Sequence, residues 1–247
     1  MNSKFLTEIG DFILLSEFEK HAPGKHNQQS HAGGRGGKVY SDLKDFVAEE
    51  KLRIAPSDAE ADKITDAITT SQMGPNQELA APNSKNAVMM YQGNQGKKIN
   101  EALRDPQISE DAWQRYINDI DNAIETSPAL KQPITVYRGV TYNVGRDNKF
   151  WDKMEVGDVI EDKGYVSTTL RPSLAADFAY YYQSVESQGF VFKMNLPAGT
   201  KGIFPASVLG LTGGMTRTEA EFLLPRGSKF EILSKEGKVW ELGLVND

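Results

Sequence analysis

The chain has 247 residues, with 28 Lys plus Arg against 34 Asp plus Glu, no cysteine and three histidines. Those histidines are His21, His26 and His31, so everything beyond residue 31 lacks the side chains of Cys–His or Ser–His–Asp catalysis and of Cys/His zinc sites. A net charge of −6 gives no global attraction to nucleic acid or to an anionic membrane, and the absence of cysteine excludes a disulfide framework. Chemistry in the folded part is therefore left to carboxylates, guanidinium and ammonium groups, hydroxyls and the backbone.

In chain order, Phe5, Leu6, Ile9, Phe12, Ile13 and Phe18 predict a short amphipathic helix within residues 1–19. Its apolar run Phe12–Leu15 is too short and too closely flanked by acids for a signal peptide or a membrane span. On this reading the protein is soluble and has no secretion signal. Residues 20–38 are rich in Gly and basic groups and contain no acid, so they read as a linker, with a contact to an anionic surface or a His metal site as alternatives. From Val39 the pattern turns helical. Ser41 caps a helix to about Glu50, and Ser57 caps another to about Ser71. Further helices are expected over Asn86–Tyr91, over Lys97–Arg104, and from Ser109 with Trp113, Ile117, Ile120 and Ile124 on one face.

After Pro133 the period changes. Strands are expected at Ile134–Val140, Gly164–Leu170, Gly189–Leu196, Gly202–Phe204, Glu219–Leu224, Lys229–Ser234 and Lys238–Val245. One helix, capped by Ser173 and running to about Gln183, interrupts them, and Glu236-Gly237 marks a hairpin turn. Helices first and strands second give an α+β fold. The expected organisation is an N-terminal helix and linker over 1–38, then one domain over 39–247 with a helical half (39–133) and a β core (134–247).

Three short segments can carry chemistry. Glu219-Ala220-Glu221 on a strand would put both carboxylates on one face, about 7 Å apart, splitting their pKa values. Ser167-Thr168-Thr169 ends a strand with three hydroxyls in a row. Arg138-Gly139 pairs a phosphate-gripping guanidinium with a residue that allows close backbone approach. Each alone reads more readily as an ordinary part of a strand.

In this order, Arg, then Ser-Thr-x, then Glu-x-Glu, the three resemble the mono-ADP-ribosyltransferases of the Arg/Ser-Thr-Ser/Glu class, which includes clostridial binary toxins and phage-encoded enzymes. Tyr91, then Ile99-Asn100, then Leu103-Arg104 is similar to the family's helical segment. The resemblance spans about residues 86–244. It implies N-terminal helices on a two-sheet, antiparallel or mixed β core, NAD as substrate and no metal. It implies that Glu221 stabilises the developing oxocarbenium cation and that Glu219 aligns and deprotonates an arginine acceptor. Ser167 would orient Glu221 and, with Thr168, line the NAD site; Arg138 would bind NAD phosphate or ribose, and Gly139 the nicotinamide amide. Asn100 and Arg104 would contact the adenosine and phosphate side, and Tyr91 would flank the site. Arg171 and Phe178 are further candidates for NAD contact.

The implied activity is transfer of ADP-ribose to a protein in a host cell, with NAD hydrolysis or an inactive, virion-associated binding role as alternatives. The segment His21–His31 looks like linkers of phage head-associated proteins. It suggests that residues 1–38 contact phage head or other virion proteins, in a protein of the virion or the host bacterial cytoplasm. Two departures stand out: Thr169 occupies the motif's last serine position, and Gly96 a position that some toxins fill with tyrosine.

Overall fold

The computed structural model describes residues 3–5, 67–72, 82–143, 151, 153–181, 187–209 and 219–245. Among them, strand β1 (Ser3–Phe5) is followed by helix α1 (Pro82–Met90), a π-helical stretch Tyr91–Gln95, α2 (Gly96–Arg104) and α3 (Gln114–Thr126). Then come β2 (Ile134–Asn143), β3 (Val159–Asp162), β4 (Val166–Thr169), α4 (Pro172–Tyr181) and β5 (Ser187–Leu196). The short helix α5 (Pro205–Leu209) precedes β6 (Glu221–Leu224), β7 (Ser228–Glu236) and β8 (Val239–Val245). The α+β arrangement is as the sequence pattern predicts.

All eight strands hydrogen-bond in one mixed sheet, in the order β1-β3-β7-β8-β5-β2-β4-β6. Only the β1–β3 and β5–β8 pairs are parallel. β6 and β3 lie near opposite ends of this order, yet Phe222, Leu224 and Ile160 share one hydrophobic cluster with Phe190, Phe192 and Trp240. The turn between β6 and β7 also reaches β3, with Gly227 N–H donating to the Asp162 carbonyl at 2.8 Å. A flat sheet would hold those strands about 29 Å apart. The sheet is therefore curled around its core, and the two expected layers are the two halves of one hydrogen-bonded sheet.

A second cluster packs the helices onto the far side of β6. Ile99, Leu103, Ile117, Ile120 and Ile124 meet Tyr165 and Leu223 there. Because Phe222 and Leu224 face one core and Leu223 the other, all of β6 is buried. This explains its continuous apolar run. Helix α4 covers the outer side of β2 and β5, where a Cβ on Gly139 or Gly189 would overlap the carbonyls of Ala175 or Ala179.

Several boundaries differ from expectation. Ser3–Phe5 is a strand paired with β3, not part of a helix, because β3 offers it an open edge. β3 itself was not foreseen; its four residues, Val159–Asp162, are too few to show a clear alternation. Gly202–Phe204 makes only a bridge, Ile203 to Leu223. The helix expected from Ser109 begins at Gln114, since Ser109 Oγ accepts the Asp111 N–H in a local turn instead. Pro172, not a Ser173 cap, opens α4, as suits a residue with fixed φ and no N–H. Residues 67–72 are helical within the stretch expected from Ser57, whereas the 41–50 helix and the 20–38 linker lie outside the described residues.

Candidate active site

The site starts at a break in a helix. Between α1 and α2, Gly93 leaves helical geometry (φ −86°, ψ −162°), and Gly96 lies so close to the Tyr91 carbonyl that a Cβ would overlap it. Past the break, Asn100 and Arg104 stand one turn apart on the inner face of α2. Asn100 Nδ2 donates to the Tyr91 hydroxyl (2.8 Å) and the Tyr165 carbonyl (3.2 Å), while its Oδ1 accepts the Tyr165 N–H (2.8 Å). Arg104 grips Asp162 at the end of β3 through Nε (2.8 Å) and Nη2 (2.9 Å). Gly164 admits both side chains, since a Cβ there would stand 2.7 Å from Asn100 Oδ1 and 3.0 Å from Arg104 Nε.

Strands supply the other wall. Arg138, buried on β2, donates from Nη1 to the Ser167 carbonyl at 2.5 Å. β4 and β6 run antiparallel with Ser167 opposite Leu223 and Thr169 opposite Glu221. Thr168 Oγ1 donates to the Phe222 carbonyl (2.6 Å) and Thr169 Oγ1 to the Glu219 carbonyl (2.5 Å), so these hydroxyls hold β6 in place. Glu221 is buried at the start of β6 and accepts a hydrogen bond from Gln92 Nε2. The Ser167 hydroxyl is also buried and makes no well-formed hydrogen bond, but it lies close enough to Glu221 to favour the charged carboxylate.

These groups are electrostatically one unit. Burial raises the Glu221 pKa, and Ser167, Gln92 and the Arg138 charge oppose that rise. Burial lowers the Arg138 pKa, opposed by Asp162, Tyr91 and Glu221 and reinforced by Arg104. Tyr91 is pushed up by burial and then by the Glu221 charge.

Of the sequence candidates, the fold thus joins Tyr91, Asn100, Arg104, Arg138, Ser167 and Glu221. Gly139, Thr168 and Phe178 line a cavity of about 20 Å³ beside Arg138 and Ser167, with Phe178 itself a buried residue of α4. Arg171 does not line it; its charge acts on Asp177. Glu219 is buried but precedes β6, in a turn where Ala220 has φ 47°. The expectation that both glutamates share one strand face is therefore corrected: the left-handed residue between them breaks the alternation. A groove of about 1330 Å³ between the end of α2, α3 and the turn at Arg226 meets this cluster only through Arg104.

Two residues escaped the sequence reading. Asp162 sits on the unforeseen β3, and Gln92 is 129 positions from its partner, with only the glycines after it hinting at a break in the helix. Among the described residues no group of three His, Asp or Glu side chains could hold a metal, and no helix is long and apolar enough to cross a membrane.

The profile of the ADP-ribosyltransferase exoenzyme domain matches residues 51–241. The chain belongs to the ADP-ribosyltransferase exoenzyme family. Sequence comparison with curated proteins gave no significant match. Among solved structures, the Vis ADP-ribosyltransferase of Vibrio splendidus in complex with agmatine aligns with TM-score 0.56 and 19% identity, over 78% of this chain and 86% of that one. The Clostridium limosum C3 exoenzyme aligns with TM-score 0.54 and 18% identity, over 77% and 95%. The toxin BECa of C. perfringens, solved with NADH, aligns with TM-score 0.54 and 19% identity, over 76% of this chain and 48% of that one. At such identity these likenesses show the fold, and they agree with family membership on the mixed, curled sheet.

Proposed function

We propose that this exoenzyme-family chain splits NAD at the nicotinamide–ribose bond and transfers the ADP-ribose to an arginine of a host protein. One observation carries the reading: a buried glutamate, Glu221, faces a buried arginine and a buried serine hydroxyl that makes no well-formed hydrogen bond, with a tyrosine beside them. The donor set suits NAD. The Arg138 guanidinium matches an anionic diphosphate or a ribose hydroxyl, and Ser167 Oγ, beside Glu221, is a buried hydroxyl with no well-formed hydrogen bond.

NAD brings a neutral leaving group and a ribose carbon that becomes positive as the bond breaks. Glu221 supplies fixed negative charge where water is excluded, which makes that charge count for more than it would in solution. Ser167, Gln92 and the Arg138 charge favour the ionised carboxylate, against the larger effect of burial. Its raised pKa has a further consequence: activity should rise with pH as Glu221 loses its proton. Glu219, held just before β6 by Thr169, would take a proton from the incoming guanidinium. A glutamate there, where relatives that modify asparagine or glutamine often carry glutamine, supports arginine as acceptor.

The test is NAD labelled in its ADP-ribose part, incubated with the full chain and either agmatine or bacterial lysate. Labelled agmatine or protein is expected from the intact chain and not from Glu221→Ala. Glu219→Gln should lose guanidinium transfer while keeping some NAD hydrolysis. Release of free ADP-ribose with no labelled acceptor would replace the transferase by a hydrolase. No NAD consumption at all would overturn the reading.

A further inference from the structure

The contact between Gln92 and Glu221 reaches beyond the predicted set of site residues, and it rests on the reading of Glu221 just given. Tyr91 and Gln92 open the π-helical stretch just before the Gly93 break: Tyr91 is buried against Asn100 and Tyr165, and its neighbour Gln92 donates to Glu221 Oε2. Single π turns inside α-helices occur frequently at functional sites. Gly96, required by close packing on the Tyr91 carbonyl, keeps the break in place.

We propose that Gln92 is a positioning residue that fixes the orientation and the ionised state of the Glu221 carboxylate before substrate arrives. A buried carboxylate needs donors. Gln92 Nε2 donates directly to Glu221 Oε2, and the Ser167 hydroxyl and the Arg138 charge support the same carboxylate. A carboxylate offers about four lone-pair sites, so one bond from Gln92 leaves room for a substrate hydroxyl. The charged and titratable groups facing Glu221 are Arg138 from β2 and Tyr91 from the π-helical stretch, with the Ser167 hydroxyl from β4. None of them changes on substitution of Gln92.

The test begins without NAD. In full-length protein carrying ¹³C-carboxyl glutamate, the Glu221 signal is the one absent from Glu221→Gln, and its titration is followed in three forms. Gln92→Met keeps the volume and removes the donor, so the midpoint should rise by about one unit. Gln92→Lys supplies a charged donor, so the midpoint should fall below that of the wild type. With NAD, Gln92→Met should lower kcat about fivefold near the wild-type midpoint, leave KM within about twofold, and shift the acidic limb of the kcat profile with the titration. Identical midpoints in wild type and Gln92→Met would overturn the role of Gln92, as would equal midpoints in the Met and Lys variants. Absence of NAD turnover in the wild type would instead overturn the proposed function, and the titration would stand on its own.

Discussion

The two walls of the site are built from similar residues and use them in opposite ways. On the helical wall, Asn100 makes three hydrogen bonds within the chain, and Arg104 holds Asp162 through two. Tyr165 extends that wall to α3, its hydroxyl lying 2.7 Å from Asp121 and 2.9 Å from the Ile117 carbonyl. On the strand wall, a buried serine hydroxyl lacks a well-formed partner, and the charge of a buried carboxylate is opposed by burial and only partly supported by neighbours. A saturated buried network rigidifies; an incompletely satisfied one is a liability to stability that a ligand can relieve. The difference separates scaffold from chemistry more sharply than residue type does.

Substitutions can break this comparison. The largest effect is expected from Asp162→Ala, which leaves Arg104 buried without its carboxylate. The loss should be about 3–5 kcal/mol in urea unfolding, and an unchanged midpoint would remove the helical wall's scaffold role. Glu221→Gln should cut NAD-dependent transfer about a hundred- to a thousandfold, measured as kcat, without lowering the melting temperature. A fall in stability like that of Asp162→Ala would make the two walls alike.

Asn100→Ala should cost about 1–3 kcal/mol by the same unfolding assay, because the Tyr165 backbone loses buried partners. Ser167→Ala should change stability by less than about 1 kcal/mol, since its hydroxyl makes no well-formed bond in the folded chain, while lowering transfer measurably.

A pH series sharpens the same contrast. The folded pKa of Glu221 lies above its ordinary value of 4.5, so the folded state holds the proton more tightly than the unfolded state. That contribution is complete below 4.5 and is lost as pH rises through the raised value. Glu221→Gln stays neutral throughout. Its stability relative to wild type should therefore improve as pH rises and converge below pH 4.5, as thermal unfolding across pH would record.

Much of this molecule was legible from the chain alone. The change from helical to strand period after Pro133 gave the α+β order, and the apolar runs of β5, β6 and β8 gave the core. The ordered Arg138, Ser167 and Glu221 segments pointed to one site because each motif is local. Helix and strand periods, turn glycines and three-residue motifs all act over a few residues, so sequence carries them directly.

What stayed hidden depends on distant segments meeting. β3 is too short to announce itself, and its Asp162 acquires meaning only where Arg104 arrives from 58 positions away. Gln92 meets Glu221 because the sheet curls and a helix breaks, neither of which local pattern determines. The turn at Ala220 takes Glu219 off the strand on which alternation had placed both glutamates. The histidine-poor, cysteine-free composition fixed which functional groups were available for chemistry. Burial, which shifts the charge of Glu221 and Arg138 and places the Ser167 hydroxyl beside Glu221, was decided only by the packing of the tertiary structure.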